Sequence, residues 1–200
     1  MTPEIQYIYM HSIIIFASGK GSNAAAIVEH FQANDLAKVS LIVTNKSDAG
    51  VLDIAQNNQI PYLIIDNNTI SEPLLIEQLM SYNPSLIILA GFLRKIPKTM
   101  TDAFKDRIIN IHPALLPAYG GKGMYGHNVH VAVIAAKEKE SGITIHYVNE
   151  VYDSGNIILQ ARCPVNHEAD DAAALADRVH ALEHFYYPRT IEYLLRDLLH

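Results

Sequence analysis

The segment Asn110-Ile111-His112-Pro113 sets an amide and an imidazole two residues apart, at the end of the apolar run Arg107 to Ile111. On an extended strand, positions i and i+2 face the same side, so both groups aim at one point. An amide N–H and an imidazole converging on one atom can hold a developing oxyanion. Pro113 and Pro117 stiffen the chain behind them. A histidine in an ordinary turn, with satisfied backbone, is the alternative these residues leave open. Asp153, in Val151-Tyr152-Asp153-Ser154-Gly155-Asn156, adds a carboxylate. Near His112 it would orient the ring and raise its pKa, although turn aspartates are also common for purely local reasons.

A second candidate lies at Ala17-Ser18-Gly19-Lys20-Gly21-Ser22-Asn23. Glycine there permits close backbone approach, and the helix that follows offers free N–H groups to an anion. The segment is not a dinucleotide fingerprint, because Ala24 stands where the third glycine belongs, and it is not a P-loop, because Lys20 comes before the serine. A plain strand-to-helix turn is the competing reading. The pairs His127/His130 and His180/His184 have spacings that can bind a metal. No cysteine or carboxylate motif accompanies either pair, and no metal is expected. Cys163, the only cysteine, excludes an internal disulfide and fits a reducing compartment. Its apolar surroundings make it a poor nucleophile.

These groups need a scaffold, and the pattern supplies one. Strand-like runs at 12–17, 39–43, 62–66, 85–90 and 107–111 alternate with helical patterns at 22–31, 50–58, 71–83 and 98–106. Near-continuous apolar runs between helices are what a parallel sheet covered on both faces requires. Two more runs, 142–152 and 156–165, read as an antiparallel pair added to that sheet. From Asp170 the chain turns helical, with Ala172, Leu175, Ala176, Val179, Leu182 and Tyr186 at helix spacing and Pro188 expected to kink or restart it. The fold class is α/β: a doubly wound, Rossmann-like, mainly parallel sheet with helices on both faces and added strands in the C-terminal half. A single domain over 1–200 is expected, with residues 1–11 as an N-terminal extension. The glycine-dense loop Tyr119 to His127 should be exposed and mobile, a candidate lid.

Half of the residues are hydrophobic, 18% are charged and the net charge is -6, with no basic block. That argues against binding along a nucleic-acid backbone. No apolar run approaches the roughly 20 residues of a membrane helix, and the first residues lack the basic start of a signal peptide. A cytoplasmic protein is expected.

Taken together, Gly19-Lys20-Gly21-Ser22-Asn23, Leu89 to Ile96, Asn110 to Pro117, Asp153 to Gln160 and Arg178 to Pro188 resemble the phosphoribosylglycinamide formyltransferases, folate-dependent enzymes of purine synthesis. Order and spacing match along nearly the whole chain. The resemblance implies the formyltransferase fold and transfer of a formyl group from 10-formyltetrahydrofolate to the amine of glycinamide ribonucleotide, without metal or covalent intermediate. It implies Asn110, His112 and Asp153 as the catalytic trio. Gly21, Ser22 and Asn23 are implied for the phosphate, and the stretch His180 to Glu183 for the ribonucleotide, with Glu183 on the ribose hydroxyls. Leu93, Arg94, Lys95 and Ile96, together with Asn110 and Asn149, Glu150, Val151, Tyr152 and Asp153, are implied for the folate. The partners are small molecules, and the assembly a monomer or homodimer. The chain departs from some members in Asp153-Ser154-Gly155-Asn156, in a longer glycine-rich loop, and in lacking an arginine ahead of Leu74. Rival readings are a superfamily member acting on methionyl-tRNA or an amino sugar, a formyltetrahydrofolate deformylase, and a non-catalytic nucleotide-binding module.

Overall fold

Alternate residues of the first strand face opposite ways: Ile13 and Ile15 belong to one apolar cluster, Ile14 and Phe16 to the other. A strand buried on both faces sits inside a three-layer sandwich, and the rest of the chain builds those layers. The computed structural model describes residues 10–66, 69–166 and 168–198. In order it has β1 (His11–Phe16), α1 (Ser22–Gln32), β2 (Ala37–Thr44), α2 (Val51–Asn57), β3 (Tyr62–Ile64), α3 (Pro73–Ser81), β4 (Leu86–Leu89), α4 (Lys98–Ala103), β5 (Ile108–His112), α5 (His127–Ala135), β6 (Glu140–Tyr147), β7 (Ile157–Pro164) and α6 (Ala172–Asp197). The seven strands lie in the order β3-β2-β1-β4-β5-β6-β7. The first five are parallel, and β6 and β7 join antiparallel. Val51, Val129, Val133 and Leu175 bring α2, α5 and α6 onto one face, beside Ala24 and Ile27 of α1. Leu75, Leu79 and Met100 bring α3 and α4 onto the other.

The expected α/β class, the parallel first half and the antiparallel C-terminal pair all stand in this sheet. Four details differ. First, α5 stands where no helix is expected: Val129, Val131 and Val133 alternate as in a strand, and the all-round apolar composition hides the helical period. Second, of the kink or restart expected at Pro188, the restart does not occur: α6 runs through it to Asp197. Its flanks Tyr187, Ile191 and Leu195 are fully buried, and that packing carries the helix past the missing N–H. Third, the inward stripe of α6 is Leu175, Val179, Glu183, Tyr187, Ile191 and Leu195; Tyr186 is only partly buried. Fourth, His11, expected in the N-terminal extension, already lies in β1 and is buried; residues 1–9 fall outside the described residues.

Candidate active site

The strand order reverses between β1 and β4, and open α/β sheets bind ligands beyond the carboxyl ends at such a switch point. A cleft of about 520 Å³ opens there.

One end of the cleft is the start of α1. Gly21 occupies the N-cap with φ 80, the left-handed region that glycine tolerates. A Cβ there would lie 2.8 to 2.9 Å from Ile54 and Val51, so no larger residue fits without displacing them. No side chain caps this helix, which leaves its first N–H groups open to the cleft. Ser22 is exposed, whereas Asn23 is buried and donates from Nδ2 to Glu183 Oε2 at 2.8 Å. Asn23 Oδ1 is left without a partner. Burial pushes the Glu183 carboxyl up, against the opposing pull of Asn23 and His180. His130, from the unexpected helix α5, also lines the cleft; it is 2% exposed, and its Nδ1 has no partner. Burial, then His180, His127 and His112, lower its pKa to about 4, so its ring is neutral at neutral pH.

The middle of the cleft is the turn after β4. Ser18 pins it, donating its backbone N–H to the Gly91 carbonyl at 3.1 Å and accepting the Leu93 N–H on its hydroxyl at 3.0 Å. Leu93, Arg94 and Lys95 stand exposed at the rim, with Lys95 Nζ 6.0 Å from the centre of the Tyr152 ring. Ile96 is buried beneath them.

The other end holds the expected trio. Asn110 and His112 are the third and fifth residues of β5 and both line the cleft, as their spacing requires. Asn110 lies opposite His146 of β6, and its Nδ2 is 3.1 Å from His146 Nε2. The other ring nitrogen of His146 is 2.8 Å from the Tyr147 carbonyl. It must carry the proton, because a carbonyl only accepts. His146 Nε2 is therefore an acceptor. It fixes the Asn110 amide with its N–H₂ toward β6, and the second N–H remains for a ligand. Burial lowers the His146 pKa, which favours this neutral form.

His112 Nε2 is 2.7 Å from the Tyr119 carbonyl. The proton therefore sits on Nε2, and the ring offers Nδ1 to the cleft. Asp153 stands 3.7 Å from His112 Nδ1 and 3.7 Å from His146 Nε2. Both separations are outside direct hydrogen-bond reach. Its φ is 52, and its Oδ2 accepts the Gly121 N–H at 2.8 Å. The ring is thus held by a loop carbonyl rather than by Asp153, which differs from the expected direct orientation. Gly121 to Gly126 of the glycine-rich loop close this side.

Of the expected folate contacts, Asn149, Val151, Tyr152 and Asp153 line the cleft and Glu150 does not. His180 lines the cleft. His184 stacks on His180 with ring centres 6.4 Å apart, but among the described residues no three His, Cys, Asp or Glu side chains gather so as to hold a metal ion. Cys163 is buried in β7, and burial pushes its thiol up. His146 escaped the sequence reading, and His130 entered it only as half of a possible metal pair; both line the cleft. For His146 the signal was a histidine inside the apolar run Ile143 to Val148, which becomes informative only when register sets it opposite Asn110.

The sequence profile of the formyl transferase family matches residues 11–191. The chain belongs to that family. Among curated formyltransferases, it is 41% identical over 191 residues to a chloroplastic phosphoribosylglycinamide formyltransferase of Vigna unguiculata, covering 92% of this chain and 61% of the relative. It is 38% identical to the phosphoribosylglycinamide formyltransferase of Bacillus subtilis, covering 93% of this chain and 95% of that protein. The chain therefore spans less than two thirds of the plant relative and nearly all of the bacterial one. Among solved formyltransferase structures, phosphoribosylglycinamide formyltransferase of Anaplasma phagocytophilum superposes with a TM-score of 0.86 at 32% identity, covering 94% of this chain and 89% of that one. Glycinamide ribonucleotide transformylase 1 of Geobacillus kaustophilus gives 0.84 at 32% identity, covering 94% and 100%. The mainly parallel sheet with antiparallel C-terminal strands is the formyltransferase fold.

Proposed function

We propose that this protein transfers the formyl group of 10-formyltetrahydrofolate to the amine of glycinamide ribonucleotide, giving formylglycinamide ribonucleotide and tetrahydrofolate, a step of purine biosynthesis. The observation that carries this reading is the convergence of Asn110, His112 and Asp153 in one cleft with an uncapped helix start at Gly21 to Asn23. The phosphate meets the backbone N–H groups at the start of α1, where the helix dipole favours an anion. Glu183, fixed by Asn23, accepts from the ribose hydroxyls. The folate lies along Leu93 to Ile96 and the turn Asn149 to Asp153, with Arg94 and Lys95 exposed near its acidic tail.

The amine attacks the formyl carbon, and the carbonyl oxygen becomes an oxyanion. The free N–H of Asn110 donates to it, and His112, when protonated, donates from Nδ1. The carboxylate of Asp153 lies 3.7 Å from that nitrogen. It takes the amine proton through a water molecule; the oxyanion then re-forms the carbonyl, the bond from the formyl carbon to folate N10 breaks, and N10 takes up a proton to leave as tetrahydrofolate. Every step uses N–H donors and proton transfer, so no metal is required. The partners are these two small molecules, in a cytoplasmic, reducing setting, with the protein acting as a monomer or homodimer.

The test mixes protein, 10-formyltetrahydrofolate and glycinamide ribonucleotide and follows tetrahydrofolate. Release that depends on the ribonucleotide supports transfer. Equal release without it makes the protein a deformylase, and no release makes it a binding module.

A further inference from the structure

Residues Tyr119 to Gly121 hold both reacting side chains through their own backbone. The Tyr119 carbonyl accepts the His112 Nε2–H at 2.7 Å, and the Gly121 N–H donates to Asp153 Oδ2 at 2.8 Å. The tripeptide itself needs an anchor, because Tyr119 has φ 57, a conformation that costs energy for a residue with a Cβ. Its phenol supplies one: the Tyr119 hydroxyl donates to Glu138 Oε1 at 2.7 Å. Glu138 is in turn fixed at the end of α5. Lys137 is left-handed at φ 54, its N–H bonds to the Ile134 carbonyl at 3.0 Å, and the Glu138 N–H bonds to the Val133 carbonyl at 3.3 Å. Those two bonds are a Schellman turn, which locks the backbone of both residues. Val129 and Val133 bury α5 in the core. A continuous path therefore runs from a buried helix, through an exposed carboxylate and a phenol, to the far nitrogen of His112.

We propose that Glu138 is a positioning residue: acting through the Tyr119 phenol, it sets which nitrogen of His112 carries the proton. The inference rests on the transferase reading above. The physical reason is a competition. Asp153 lies on the Nδ1 side of the ring and favours a proton there, whereas the Tyr119 carbonyl claims the proton for Nε2. With the carbonyl anchored, Nε2 keeps it, and Nδ1 is left bare to pick up the second proton that it donates to the oxyanion. With the carbonyl released, the proton moves to Nδ1 and points at Asp153.

The experiment records ¹⁵N shifts of the His112 ring, at a pH where it is neutral, for the parent and for Tyr119→Phe, Glu138→Ala and Glu138→Gln. The parent should show a protonated Nε2 and a bare Nδ1. Tyr119→Phe and Glu138→Ala should move the proton to Nδ1 and lower kcat by about tenfold to a hundredfold, the scale of a misplaced catalytic group, with both KM values within about twofold of the parent. Glu138→Gln keeps an accepting oxygen and should keep both the tautomer and the rate. The proposal is overturned if Tyr119→Phe or Glu138→Ala retains the Nε2 proton, or if the proton moves while kcat stays at the parental value. A parent that transfers no formyl group defeats the functional reading alone, because the ring shifts still decide whether the anchor operates.

Discussion

Replacing Gly155 by alanine should damage the site at one of its two anchored ends. Gly155 lies two residues after Asp153, in the turn between β6 and β7. A Cβ there would sit 1.8 Å from the Tyr147 carbonyl oxygen and 2.7 Å from its carbon, where ordinary contact begins at 3.4 Å. One side must therefore retreat by well over an ångström. If the turn moves, Asp153 moves with it. If the strand moves, the Tyr147 carbonyl leaves the His146 Nδ1–H that it accepts at 2.8 Å, and the ring that fixes the Asn110 amide is released. A misplacement of about 1 Å can cost about a hundredfold in rate. Overpacking of this kind costs about 1 to 3 kcal/mol. For a chain of this size that lowers Tm by roughly 2 to 12 °C. The assay is kcat with saturating substrates, well below the lowered Tm, beside Tm by calorimetry. A Gly155→Ala protein that melts with the parent and turns over at its rate would refute the packing argument and the role given to this turn.

Asn23→Leu should raise KM for the ribonucleotide more than KM for the folate, because it unpins Glu183; equal rises count against the phosphate end. Amide hydrogen exchange should be fast at Lys122, Gly123, Tyr125 and Gly126 without ligand and slow with both substrates, as four glycines in residues 119–126 leave much backbone entropy to lose, while the bonded Gly121 amide is protected throughout. Strong protection of the whole loop in the free protein would show that it is no lid. Burial holds His130 at about 4 against 6.5 for a free ring, so on acidification the unfolded chain takes up this proton first. Stability should therefore fall between pH 6.5 and about 4, and His130→Gln should flatten that decline; parallel declines in denaturation midpoint for both proteins would contradict it.

The convergence of Asn110 and His112 was legible because β geometry ties spacing to direction: two positions apart on a strand means one side, and both line the cleft. The strands were legible because burial on both faces demands unbroken apolar runs such as Ile13 to Phe16. What escaped depends on partners remote in sequence. His146 matters because register sets it opposite Asn110, and no local pattern encodes that register. Helix α5 escaped because alternating valines mimic a strand, and with it the place of His130 in the cleft. The bond from the Tyr119 carbonyl to His112 was hidden for another reason: it is made by backbone, and a backbone carbonyl carries no residue signature.

The central claim is that Asn110, His112 and Asp153 act together on the transferred formyl group. Its most direct test is kcat against pH for the parent, His112→Ala and Asp153→Asn, with the folate dissociation constant beside each. His112→Ala should lose about a hundredfold or more in kcat, the scale of one lost oxyanion donor. Asp153→Asn should bind folate as the parent does, yet turn over slowly and with an altered pH profile, because an amide keeps the shape of the carboxylate but cannot take a proton. An Asp153→Asn protein that matches the parent at every pH would contradict the account and leave Asn110-Ile111-His112-Pro113 as a structural turn.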